Sequence, residues 1–149
     1  MKKKKHVFVS YCHENFKQVK ALVGDLSREN ESVWWDENIP KGSDWNLEIK
    51  RALADAYAAI VCFSCESEKK YQSGIYPELY VLIEQYRKLA PGTIFILPVR
   101  LSSCSIPDIP IHSNLDLNGI QRTDLFPSRC RHKNLRLLIE SCRSIPTHP

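Results

Sequence analysis

No run in the chain approaches the ~18 consecutive apolar residues of a membrane-spanning helix. The basic start, Lys2-Lys3-Lys4-Lys5, is not followed by the apolar segment of a signal peptide. A cytoplasmic protein with no membrane contact is the expectation. Neither G-x-x-x-x-G-K-[ST] nor G-x-G-x-x-G occurs, which excludes P-loop and Rossmann phosphate cradles. Without G-x-S-x-G, an α/β-hydrolase triad has no position for its nucleophile. The histidines, at 6, 13, 112, 132 and 148, include no i, i+4 pair that would grip a metal from one helix face. Cys62 and Cys65 have C-x-x-C spacing, but no second pair completes a tetrahedral set, so no metal is expected. The other cysteines stand at 12, 104, 130 and 142, and all six are read as reduced, mostly buried thiols. An excess of charge on the folded body is lacking too. The formal net charge is +4, and Lys2 to Lys5 carry all of it. A nucleic-acid binder needs its basic residues on a folded face, so no nucleic-acid partner is expected.

What remains is ordinary globular composition, 43% hydrophobic and 26% charged over 149 residues, enough for one self-sufficient domain. The expected domain spans 6–145, with a basic tail at 1–5 and a tail or linker at 146–149. His6 to Tyr11 (HVFVSY) has the β-branched and aromatic character of a strand. Phe16, Val19, Leu22, Val23 and Leu26 then recur at helical spacing. Val33-Trp34-Trp35 gives a second strand that ends at Asp36. Glu37 to Asp44, with Pro40 and Gly42, must be a loop. Ile49, Ala52, Leu53 and Ala56 define a second helix, and Ala58 to Ser64 a strand covered on both faces. Glu66 to Gly74 is polar. Pro77 suits the first turn of the next helix, whose stripe is Leu79, Leu82, Ile83 and Tyr86 and which Pro91-Gly92 ends. Thr93 to Val99 is a fourth strand, with Pro98 marking its end. Residues 101–118 read as irregular, Leu115 to Ile120 as a short edge strand, and Leu135, Leu138, Ile139 and Cys142 as a last helix.

Alternating strands and helices imply a flavodoxin-like three-layer sandwich around a parallel sheet of about five strands. Ligands of such sheets bind outside the carboxyl ends of the strands. Ser10 and Tyr11, Asp36 with its loop, Ser64, and the helix beginning at Pro77 should meet there. A response-regulator receiver shares this fold, but it needs an acidic pair after strand one and an aspartate after strand three. Ser10-Tyr11 and Ser64 occupy those places. Asp36 either braces its loop or forms an Asx turn. Trp45 either offers an aromatic face to a ligand or packs at the start of its helix. Gly42 fits a need for positive φ or for close packing. Glu78 sits in a first helical turn, where the helix dipole favours a carboxylate and where acidic residues are common anyway.

VFVSYCHEN, then SVWWDENIPKGSDW, then a buried strand ending in FS, then YPELY, resemble in order and spacing a TIR (Toll/interleukin-1 receptor) domain over residues 5–145. With its Glu-Leu helix and the ILPVRL strand, the chain looks more like prokaryotic members than animal adaptors. Many of those prokaryotic members cleave NAD+ and act in antiphage defence. The resemblance implies an NAD+ glycohydrolase or cyclase with Glu78 as its catalytic glutamate. NAD+ would be the substrate, and no cofactor is needed. It also implies substrate contacts from Ser10, Tyr11, Cys12, Asp36, Trp45, Ser64 and Tyr76, and self-association through a BB loop formed by Ile39, Pro40, Lys41, Gly42 and Ser43. Cys12 and His13 stand where some relatives place ligand-contacting arginines. Gly74 stands where relatives often carry a tryptophan, so that stacking role is either missing here or moved to Tyr76 or Tyr71. Family enzymes often need assembly for activity, and a fused or separate sensor of a cyclic nucleotide is a further expected partner. The alternative implied by the same resemblance is a non-catalytic TIR–TIR scaffold.

Overall fold

The computed structural model describes residues 5–72, 77–88 and 95–145; the side chains of Pro77 and Glu78 lie outside that set. Five strands form one sheet: β1 (His6–Ser10), β2 (Val33–Trp34), β3 (Ala56–Phe63), β4 (Ile96–Arg100) and β7 (Thr123–Asp124). Their order is β2-β1-β3-β4-β7, and every neighbouring pair is parallel. A separate antiparallel hairpin joins β5 (Pro110–His112) to β6 (Leu115–Asp116). The helices are α1 (Phe16–Arg28), α2 (Trp45–Ala54), α3 (Cys65–Gln72), α4 (Pro77–Arg87) and α5 (Ser128–Ser144).

Strict side-chain alternation along the strands builds two cores. Val7, Val9, Ile60, Cys62 and Val99 face α1 and α5, where Val19, Leu22 and Leu26 meet Leu138 and Ile139. Phe8, Ala59, Val61, Phe63 and Ile96 face α2 and α4, where Ile49 and Leu53 meet Leu79, Leu82 and Ile83. Phe8 also stacks on Trp34, with ring centroids 5.2 Å apart. The result is the expected flavodoxin-like three-layer sandwich around five parallel strands.

The differences from the sequence reading have local causes. Glu66 to Gly74 is not simply a polar stretch, because α3 occupies Cys65–Gln72. It has no apolar stripe to reveal it. It is held by reciprocal capping at its start: Ser64 N donates to Ser67 Oγ at 2.8 Å, and Ser67 N to Ser64 Oγ at 3.1 Å. Acidic Glu66 and Glu68 in the first turn and Lys69 and Lys70 in the last complement its dipole. Cys65 therefore lies on an exposed helix start, and Cys104 and Cys130 are half-buried; Cys12, Cys62 and Cys142 are buried. Burial pushes the Cys62 thiol up to about 12.

Leu115–Ile120 is not the edge strand. Leu115–Asp116 pair with the hairpin instead, and Leu117–Gly119 form a 3-10 turn whose fully buried Leu117 packs into the α2/α4 core. The edge is β7, only two residues long and too short for any periodicity to show.

Nor does Pro98 end β4, which runs on to Arg100. Ala59 N donates to Phe95 O and Leu101 N to Phe63 O, so alternate positions from Phe95 bond β3. Pro98 has the opposite parity, and its missing N–H points where β7, which starts opposite Val99, has not yet begun. Pro91-Gly92 and the start of the expected fourth strand lie outside the described residues, as do 1–4 and 146–149.

Candidate functional site

The carboxyl edge of the sheet is built from the ends of β1, β2 and β3 and from the helix starts above them. Tyr11, just past β1, donates from its hydroxyl to Asp36 Oδ1 at 2.5 Å. Asp36 opens a 3-10 turn, Asp36–Asn38, that is closed by Trp35 N donating to Asn38 Oδ1 at 2.9 Å. The loop after β2 is thereby fastened to the end of β1. Within it, Ile39 packs on the α2/α4 core, while Pro40 and Lys41 are exposed. The Ser43 hydroxyl and amide both donate to Pro40 O. Gly42 has φ of +86°, and a Cβ there would meet nothing within 4 Å. Backbone conformation requires glycine at 42, and packing does not. Trp45 begins α2 and is 45% exposed, so buried packing is not its role. Asp44 caps that helix, accepting from Leu47 N at 3.2 Å.

Asn15, which the sequence reading passed over, lies at the centre of the edge. It is 4% exposed, and its side chain joins three elements. Its amide donates to Gln18 in α1 and to Glu66 in α3, each at 2.9 Å, and its oxygen accepts from Ser64 Oγ at 2.6 Å. Hydrogen bonds from the Cys65 thiol and the Asn15 amide hold the Glu66 carboxyl below its ordinary range. Beside it, Lys70 Nζ lies 2.9 Å from Glu14 Oε1, and the buried Cys12 thiol donates to the same oxygen at 3.3 Å. Lys70 and Cys12 lower the Glu14 pKa, whereas burial raises that of Cys12. A buried asparagine among short polar residues carries no periodicity. Its one sequence signal was position, since Asn15 follows strand one just as Ser64 follows strand three.

Ser10 is fully buried, and its hydroxyl has no hydrogen-bond partner among the described residues. Phe8 faces the α2/α4 core, so alternation turns Ser10 to that side as well. There α4 runs antiparallel to the strands. At its far end Tyr86 meets Phe95, just before β4, edge-to-face at 6.0 Å. At its near end Leu79 lines a small cavity of ≈ 10 Å³ with Phe63, Ser67, Glu68, Tyr71, Ser105 and Pro107, at the carboxyl ends of β3 and β4. Glu78 is thus in the first turn of α4 on the carboxyl edge. Tyr71 is half-buried against the α2/α4 core. Tyr76 and Gly74 lie outside the described residues. Two larger clefts, ≈ 460 Å³ beside β7 and α5 and ≈ 590 Å³ at the hairpin, contain none of the residues expected from the sequence. Among the described residues, no three His, Cys, Asp or Glu side chains cluster as metal ligands. No helix among them is long and apolar enough to cross a membrane.

The far side of the edge is tied by Arg100, whose Nε and Nη2 grip both Asp124 oxygens at 2.8 and 2.7 Å while Nη1 donates to Cys104 O at 2.9 Å. Arg100 holds the Asp124 carboxyl below its ordinary value. A depressed folded-state pKa adds stability above the unfolded value, and that stability is lost as pH falls through the folded one. Asp124→Asn is expected to cost about 1–2 kcal/mol near pH 7, discounted for partial exposure. The gap between variant and wild type should close as pH falls from about 5 towards 2. Thermal melts across that range check it, and a gap that stays constant would refute it.

A family model for the TIR domain matches residues 7–139. The chain belongs to the TIR domain family. Solved structures place this TIR domain among varied company. The TIR domain of the Toll-related receptor TRR-2 from Hydra magnipapillata aligns with TM-score 0.69 and 18% identity, over 93% of this chain and 98% of that one. A TIR-STING receptor from C. gigas, solved in complex with 2',3'-cGAMP, aligns with TM-score 0.63 and 15% identity over 88% of this chain. This TIR domain spans 38% of that receptor's length. A prokaryotic SEFIR domain aligns with TM-score 0.60 and 16% identity, over 95% of this chain and 94% of that one. At such identities the likeness establishes the fold. Comparison with curated protein sequences gave no match.

Proposed function

We propose that this TIR domain is an NAD+ glycohydrolase or cyclase. It breaks the nicotinamide–ribose bond to release nicotinamide and either ADP-ribose or a cyclic ADP-ribose isomer. The supporting observation is the start of α4 at Pro77, which puts Glu78 in a first helical turn on the edge where parallel sheets take ligands. A carboxylate there would hold the ribose hydroxyls and stabilise the oxocarbenium ion as the bond breaks. Nicotinamide leaves as a neutral molecule, so no strong general acid is required. Water attack gives the linear product, and attack by the adenine gives the cyclic one. Tyr11, Asp36, Trp45 and Tyr76 supply the surrounding contacts in this reading, while Ser10, Cys12 and Ser64, expected from the sequence to touch the substrate, are buried and stand behind them.

The enzyme works in the bacterial cytoplasm as an antiphage effector, activated when copies associate through Ile39–Ser43. A fused or separate domain sensing a cyclic nucleotide would drive that association. Nicotinamide release from NAD+ at rising protein concentration tests the reading. Turnover that climbs faster than concentration supports it. No turnover by a self-associated sample overturns it in favour of a non-catalytic TIR–TIR scaffold. Exposed Trp45 and Leu47, at the exit of the loop, are what favour that second reading.

A further inference from the structure

The strand order reverses between β1 and β3, and open parallel sheets take ligands in the crevice at such a reversal. Two side-chain bridges span this crevice. The Asn15 bridge to Ser64 and Glu66 is buried. The Glu14–Lys70 bridge is at the surface, with side chains 50% and 35% exposed.

Among the described residues, the anion-binding groups at the crevice are few. Three amides at the start of α3 are already engaged, Ser64 N and Ser67 N by each other's hydroxyls and Cys65 N by Ser102 Oγ at 3.0 Å. The turn from Cys12 to Asn15 contains no lysine or arginine. Arg100 is locked on Asp124 and Cys104 O. Lys70 is the cation held across the gap, and its partner is a half-exposed carboxylate. The pair raises the Lys70 pKa and lowers that of Glu14, so both stay charged around neutral pH and an exchange of anions on Lys70 moves no proton.

We propose that Glu14–Lys70 is a displaceable latch over the β1/β3 crevice, and that the diphosphate of a nucleotide takes the place of Glu14 on Lys70. This makes Lys70 a binding residue that selects dinucleotides and nucleoside diphosphates over bare nucleosides. The choice of a nucleotide as ligand rests on the proposed NAD+ reading. Glu14 then serves as an internal stand-in for phosphate, keeping Lys70 aimed across the crevice.

Calorimetric titration of ADP into wild type, Lys70→Gln and Glu14→Gln tests the proposal, with adenosine as control and thermal melts confirming that each variant is folded. Lys70→Gln is expected to weaken ADP about tenfold, and Glu14→Gln to tighten it about threefold by removing the competitor, while adenosine changes little. Equal ADP affinity in all three proteins would overturn the latch. So would failure of both wild type and Glu14→Gln to bind ADP at millimolar concentration. ADP contains no nicotinamide bond, so the two ideas fail separately. Latch behaviour with no NAD+ turnover removes the enzyme, whereas turnover with ADP binding indifferent to Lys70 and Glu14 removes the latch.

Discussion

Glu78→Gln and Glu78→Ala are each expected to lower nicotinamide release about a thousandfold or more, the scale on which a group matched to developing charge acts. The loss should fall on kcat, because the carboxylate is most needed when the ribose becomes cationic. Stability should hardly move. A first-turn carboxylate interacts with the helix dipole by about 0.3–1 kcal/mol, and α4 is anchored by fully buried Leu79, Leu82 and Ile83 through contacts that neither substitution touches. Glutamine matters as much as alanine here, since it keeps shape and hydrogen bonding and removes only the charge. The measurement is nicotinamide release at protein concentrations that support self-association, with melting temperature alongside. Activity that survives both substitutions would show that another residue carries the chemistry.

Asn15→Leu should produce the largest stability loss near the site. Leucine has similar bulk but strands the Ser64 hydroxyl without its acceptor and removes one donor from Glu66. Losing partners for buried polar groups costs about 1–3 kcal/mol each. A total near 3 kcal/mol would lower the melting temperature by about 6–12 °C in a domain of this size. Asn15→Asp tests the cause. It keeps an acceptor for Ser64 but sets a second carboxylate against Glu66, which raises the folded-state pKa of the pair. The penalty is then present above that raised value and fades as pH falls through it. The aspartate variant should therefore approach wild-type stability near pH 5 and fall away at pH 8. A leucine variant that melts with wild type would mean that Asn15 is not a clamp.

The parts of the fold that could be read from the sequence were those with long apolar periodicity. β1 and β3, with their alternating and continuous apolar runs, and α1, α4 and α5, with stripes at i, i+3 and i+4, announce themselves because burial dictates residue type at many positions. α3 and β7 do not. One is held by serine capping and charge, the other by two residues and an arginine hook, and neither leaves a repeating pattern. The candidate site divides in the same way. Glu78 could be placed because Pro77 marks a helix start, and Asp36 because it ends a short aromatic strand. Asn15, Glu14 and Lys70 could not, because their partners lie up to 56 residues away in sequence and only the fold brings them together.

The proline inside β4 bears on how this protein avoids unwanted company. β7 covers β4 only from Val99 onward, so the amino-terminal half of β4 is in effect a sheet margin. Bare margins template the pairing of stray extended chains, the first step of edge-to-edge aggregation. Pro98 removes a donor in the middle of that margin, between Ile96 and Arg100. A stray strand docking there would find a broken ladder. Ile96 and Pro98 are buried in the folded protein, so the residue that looks like a flaw in a central strand acts as a guard when this unpaired half of it is uncovered.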